Sequence, residues 1–186
     1  MNTEVMFSSQ TDQWVTPQDF FDKLNEEFHF TLDPCADEFN HKCEKYYIKE
    51  QDGLAQSWER ETVFCNPPYG REIGKWVEKA YAENIIGGAL VVMLIPARTD
   101  TKWFHDYIYN KHNVEIRFVK GRLKFGNADN SAPFPSMIVI FKREKIMIDA
   151  NKLIDHLSKT NGTLEDIANK GCALYEVRRY LDCKTE

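Results

Sequence analysis

The chain of 186 residues contains no apolar run approaching the roughly 18 residues that a membrane-spanning helix requires. Its first residues show no positively charged segment leading into an apolar one. Neither membrane insertion nor export is therefore expected, and the compartment expected is cytoplasmic. The five cysteines (Cys35, Cys43, Cys65, Cys172, Cys183) are odd in number, scattered and without C-x-x-C spacing, which argues against a disulfide framework. Cys35, His41 and Cys43 lie close together but have no second pair of ligands, so they read as loop residues and no metal is expected. A formal net charge of −5 also lacks the positive excess usual for a protein that binds phosphates. The charge is uneven, however: residues 1–61 hold 5 basic and 14 acidic side chains, and residues 98–145 hold 10 basic and 5 acidic.

What is present is enough for one core, with 42% hydrophobic residues. The densest signal is TVFCNPPYG, residues 62–70. Val63 and Phe64 read as a buried strand, and Pro67 and Pro68 cannot continue a ladder. A rigid polar turn thus ends a strand, the edge at which open α/β sheets bind ligands.

Methyl transfer to an exocyclic amine suits such a turn. An adenine N6 lone pair is delocalised into its ring until acceptors hold the amine hydrogens in a pyramidal arrangement. The side-chain oxygen of Asn66 is one such acceptor and the carbonyl of Pro67 another, with Pro68 stiffening the turn. Tyr69 offers a face for a base taken out of its stack.

Elsewhere, strands and helices alternate, which predicts a mostly parallel α/β sheet. Thr16 before Pro17 reads as the cap of a helix over 17–27, whose free N–H groups suit a carboxylate. A strand over 28–32 ends at Asp33-Pro34-Cys35-Ala36, and the polar segment 38–50 leaves little room for a first crossover helix. Asp52-Gly53-Leu54 places an acid and an apolar residue beside a turn, suited to an adenine amine and its ring. Further helices are expected over 72–84 and 99–110, with strands over 89–95, 114–119 and 137–141. Residues 145–186 read as three helices in an extension beyond the catalytic domain, 1–144.

The order Trp14-Val15-Thr16-Pro17, Asp33-Pro34-Cys35-Ala36, Asp52-Gly53-Leu54 and Asn66-Pro67-Pro68-Tyr69-Gly70 resembles the phage-type DNA N6-adenine methyltransferase (Dam) family. The similarity continues through Leu94-Ile95-Pro96-Ala97-Arg98-Thr99, Gly121-Arg122-Leu123-Lys124-Phe125 and Ala132-Pro133-Phe134-Pro135-Ser136. The resemblance implies a Rossmann-like fold with the strands over 114–119 and 137–141 paired antiparallel, S-adenosylmethionine (SAM) as donor and DNA adenine as acceptor. It implies catalysis by Asn66, Pro67, Pro68 and Tyr69. Trp14, Thr16, Pro17, Asp33, Pro34, Cys35, Ala36, Asp52 and Leu54 are implied on the cofactor, with Asp37, Glu38, Glu44 and Glu50 all open as the acid for its ribose.

For DNA, Arg98, Lys102, Arg122 and Lys124 are expected at phosphates and Phe125 or Phe134 as a wedge. The C-terminal helices resemble a helix-turn-helix with Arg178 and Arg179 outward. Other amine acceptors (RNA adenine, cytosine N4, a protein glutamine) and a non-catalytic DNA-binding role are the alternatives.

Overall fold

A computed structural model describes residues 14–126 and 130–143. The three expected C-terminal helices and the first 13 residues lie outside the described residues. The elements are α1 (Gln18–Phe28), β1 (Leu32–Asp33), β2 (Lys45–Tyr46), a 3₁₀ turn (Lys49–Gln51), β3 (Thr62–Cys65), α2 (Ile73–Ile85), β4 (Leu90–Pro96), α3 (Lys102–Tyr107), β5 (Val114–Phe118) and β6 (Ser136–Phe141).

The six strands form one sheet in the order β2-β1-β3-β4-β6-β5. Strands β2, β1, β3 and β4 run parallel, and β6 is antiparallel to both β4 and β5. The mostly parallel α/β sheet is therefore as the alternation predicts, and the antiparallel final pair is as the resemblance implies. From β1 the chain goes out to β2 on one side and returns to β3 on the other, so a crevice opens at the carboxyl ends of β1 and β3.

Strand β4 is buried from Val91 to Pro96 because the sheet is covered on both faces. Val91, Met93 and Ile95 pack with Trp76, Val77 and Ala80 of α2 and Phe104 of α3. Val92 and Leu94 point the other way, to Phe21 and Leu24 of α1 and to Phe64, Ile138 and Ile140. Between β1 and β2 the described chain forms turns in place of a helix, as the polar segment 38–50 predicts.

Several boundaries differ from expectation. Strand β1 holds only Leu32 and Asp33, because Phe28 and Phe30 turn out of the ladder into a ring cluster with Phe21 and Phe64. Helix α3 is shorter than 99–110. At its start the Thr101 hydroxyl donates to the Arg98 carbonyl, and at its end the Tyr109 N–H reaches back to Phe104 before Asn110 turns left-handed at φ 57°.

Candidate active site

Asn66 follows the last residue of β3, so the Asn-Pro-Pro-Tyr turn sits at the mouth of the crevice. Its amide Nδ2 donates to the Thr16 hydroxyl at 2.9 Å and to the Trp14 carbonyl. A carbonyl only accepts, so this contact fixes which end of the amide is nitrogen. The other end, Oδ1, is buried and has no partner among the described residues. No backbone amide among the described residues donates to the Pro67 carbonyl either.

Thr16 is thus not the cap expected from its place before Pro17. Pro17 itself occupies the cap position of α1 without a side-chain bond, and the Thr16 side chain, in a residue 3% exposed, accepts from the Asn66 amide. A single hydroxyl before proline fits both roles in sequence, and only the fold brings in a partner 50 residues away.

Tyr69 lies in a cluster of four rings in which every pair is in contact. Trp14 is nearly parallel to it, with centroids 6.3 Å apart and planes at 22°. Phe125 and Phe134 meet Tyr69 edge-on at 6.0 and 5.5 Å. The Tyr69 hydroxyl donates to the Leu94 carbonyl at 3.0 Å, and burial pushes its pKa well above the ordinary value. Phe125 is 4% exposed in this arrangement, so it is a packed member of the cluster, and contact with DNA would require the cluster to part. The loop carrying it is tied to the N-terminal segment by the Gly126 N–H, which donates to the Val15 carbonyl at 2.8 Å.

The wall of the crevice opposite Asn66 is the loop after β1. Asp33 is 4% exposed; its Oδ1 accepts the Cys35 N–H at 3.1 Å and its Oδ2 the Lys42 N–H at 3.0 Å. Burial pushes its pKa up to about 6, against these two amides, which favour the charged form. Pro34 is buried under Gly53, where a Cβ would come within 2.1 Å of the Pro34 carbonyl oxygen. Ala36 donates its N–H to the Tyr47 carbonyl at 3.1 Å, joining the loop to the end of β2.

Cys35 Sγ lies 3.5 Å from Cys65 Sγ, and burial raises its pKa well above the usual thiol range. His41 stacks on Tyr46 with centroids 4.2 Å apart, so Cys35, His41 and Cys43 do not converge.

Of the residues expected at the cofactor, Trp14, Thr16, Asp33 and Cys35 line this crevice together with Asn66 and Pro68. Pro17, Pro34 and Ala36 adjoin these in sequence but do not line it. Asp52 and Leu54 do not line it. Asp52 is exposed in a left-handed conformation and accepts the Leu54 N–H at 3.1 Å, a local turn. Among the four competing acids only Asp37 lines the crevice.

Asn40 and Lys42 also line it and were not legible in sequence, because the path of the 34–44 loop brings them there. Lys42 Nζ donates to Gln18 Oε1 at 2.8 Å, beside the first turn of α1, and burial lowers its pKa.

Of the basic residues expected at DNA, Lys102 is paired with Asp106. Arg98, Arg122 and Lys124 are exposed and make no ion pair among the described residues. No helix of the described residues is long and apolar enough to cross a membrane.

An open α/β sheet with a crevice at its topological switch, and an Asn-Pro-Pro-Tyr turn offering unpaired acceptors at its edge, defines the amino-methyltransferase class. The profile of the family described as DNA N-6-adenine-methyltransferase (Dam) matches residues 4–170. A DNA N-6-adenine-methyltransferase of Haemophilus phage HP1 (strain HP1c1) is 29% identical over 141 residues, 72% of this chain and 80% of the phage protein. The Escherichia coli (strain K12) protein YfdM is 40% identical over 65 residues, 31% of this chain and 71% of that protein. The chain belongs to the DNA N-6-adenine-methyltransferase (Dam) family, and its reaction is methyl transfer to adenine N6 in DNA.

Proposed function

We propose that SAM is the methyl donor and that the crevice beside Asn66 is where it binds. The donor set fits its parts. Lys42, beside the free N–H groups of the first turn of α1, suits the carboxylate of the methionine portion. Asp37 suits the ribose hydroxyls. Asp33, whose two oxygens already take Cys35 and Lys42 amides, acts by holding the loop in shape. When bound, SAM supplies an electrophilic sulfonium methyl.

The chain's own part is to prepare the acceptor amine. The N6 amine donates to Asn66 Oδ1 and to the Pro67 carbonyl, which draws its lone pair out of conjugation and aims it at the methyl. The proton leaves after attack, so no general base is needed. The adenine must be extruded from the duplex to reach this turn, and Tyr69 supplies its stacking face once the ring cluster parts. Arg98, Arg122 and Lys124 contact phosphates.

The single observation that carries this reading is the buried, unpartnered Asn66 Oδ1. A buried acceptor without a partner is costly, and an amine donor repays that cost at the moment of reaction. The test is transfer from labelled SAM to unmethylated DNA, with nucleoside digestion and mass spectrometry, for the wild type and Asn66→Ala. The wild type is expected to yield N6-methyldeoxyadenosine. The variant is expected to yield none while SAM affinity by calorimetry stays the same. Near-normal turnover by the variant would overturn the role of Asn66.

A further inference from the structure

Among the described residues two buried side-chain polar atoms have no partner: Asn66 Oδ1 and Ser136 Oγ. The first has a role in the reaction above; the second has none. Ser136 is 1% exposed and opens β6, opposite Pro96 at the carboxyl end of β4. Its backbone is held from two sides. Its carbonyl accepts the Val119 N–H at 3.1 Å, and the preceding Pro135 carbonyl accepts the Ala97 N–H at 2.9 Å.

Side chains alternate along a strand, so Ser136 shares a face with Ile138 and Ile140. Those two pack with Phe64, Leu94 and Phe125, on the same side of the sheet as Tyr69 and Phe134. Phe134, two residues earlier, belongs to the four-ring cluster. The Tyr69 hydroxyl meets the Leu94 carbonyl, and Leu94 is in register with Ile138, about 7 Å along the strand from Ser136.

The chemistry of the base leaves a vacancy that this hydroxyl fills. Asn66 Oδ1 and the Pro67 carbonyl are acceptors, suited to the amine of adenine. The ring nitrogens N1, N3 and N7 are acceptors themselves and require a donor, and the Tyr69 hydroxyl is already committed to Leu94. We infer that Ser136 is a third polar contact of the flipped base, beside Asn66 and Pro67, donating its hydroxyl proton to a ring nitrogen of adenine. A base presenting an N–H at that position is then met by the oxygen of a hydroxyl whose proton has to turn away. The inference rests on the assignment of the amine to Asn66.

The test uses the full chain and a duplex containing the methylated site, identified by sequencing the wild-type product. The target adenine is replaced in turn by 1-deaza-, 3-deaza- and 7-deaza-adenine, each with a C–H in place of one ring nitrogen. Wild type is expected to lose about 10-fold in kcat/KM on one of the three. Ser136→Ala is expected to lose about as much on ordinary adenine, and to treat that analogue and adenine alike. Its melting temperature should equal or exceed that of the wild type, since an unpartnered hydroxyl has been removed.

Ser136→Thr, which keeps the hydroxyl, should retain the analogue preference. Unchanged kcat/KM in Ser136→Ala, or equal penalties on every analogue for wild type and variant, would overturn the contact. Near-normal turnover by Asn66→Ala in the same assay would instead remove the base-site reading beneath it.

Discussion

The Thr16 hydroxyl accepts from the Asn66 amide at 2.9 Å, across 50 positions of sequence, and so holds the amide with its opposite oxygen buried and without a partner among the described residues. Positioning of this kind acts on turnover and not on cofactor affinity. Thr16→Val, of nearly the same shape, should lower kcat on the order of 10- to 100-fold, the scale of a slightly misplaced reacting group. SAM affinity by calorimetry should be unchanged, and Thr16→Ser should recover most of the rate. A loss that appears wholly as weaker SAM binding would make Thr16 a cofactor contact instead.

Asp33 gives the fold a pH dependence of unusual sign for a carboxylate. Its native pKa of about 6 lies above that of an unfolded aspartate, so the native state holds the proton more tightly. The stability from this group is present in full below about pH 4 and is lost as pH rises through 6, by about 2–3 kcal/mol. Asp33→Asn removes the titration. The stability difference between wild type and Asp33→Asn, from denaturant melts at pH 4 and 7.5, should shift against the wild type by that amount. A difference independent of pH would refute the assignment.

Gly53 permits a close approach between two loops. The Cβ of an alanine would stand 2.1 Å from the Pro34 carbonyl oxygen and 3.2 Å from the Trp76 ring, and both neighbours are packed. Gly53→Ala should cost at least about 1–3 kcal/mol. It should also weaken SAM binding, because Pro34 lies between Asp33 and Cys35, which line the crevice. Thermal melting and calorimetry report the two effects, and a variant as stable as the wild type would show that the loops yield.

Tyr69 combines a ring in the aromatic cluster with one hydrogen bond. Tyr69→Phe keeps the ring and leaves the Leu94 carbonyl without this donor, so stability should fall by about 1–2 kcal/mol with kcat nearly retained. Tyr69→Ala should lose more than 10-fold in kcat/KM, since base stacking on aromatic rings contributes about 1–3 kcal/mol. Equal activity of the two variants would show that the ring face is not used.

Arg122 and Lys124 are exposed on the loop that reaches the four-ring cluster around Tyr69 through Phe125. Replacing either by alanine should weaken DNA binding on all sequences alike and reduce the slope of log K against log salt by about one. Fluorescence anisotropy across a salt series measures this, and an unchanged slope would remove the residue from the phosphate contacts.

The sheet and its helices were legible because their signals are periodic. The continuous apolar run of β4 and the helical spacing of Trp76, Val77 and Ala80 each match a burial pattern that neighbours cannot disguise. The turn that ends β3 was legible because the effect of two prolines on a strand is local. Lys42 and Asn40 were not, since nothing in a loop's composition states where it returns to the sheet. Asp52 illustrates the reverse: its order along the chain suggested a cofactor contact, while its carboxylate folds back on its own turn. Phe125 looked like an exposed wedge because a glycine-rich basic loop surrounds it, yet three other rings bury it.

The Asn66 amide takes both of its acceptors from a segment that precedes α1, outside the sheet that carries the catalytic turn. A folding intermediate with the sheet complete and that segment undocked would therefore be native by circular dichroism and inert as an enzyme. Recovery of turnover during refolding then times the docking of that segment, and activity becomes a clock for its arrival.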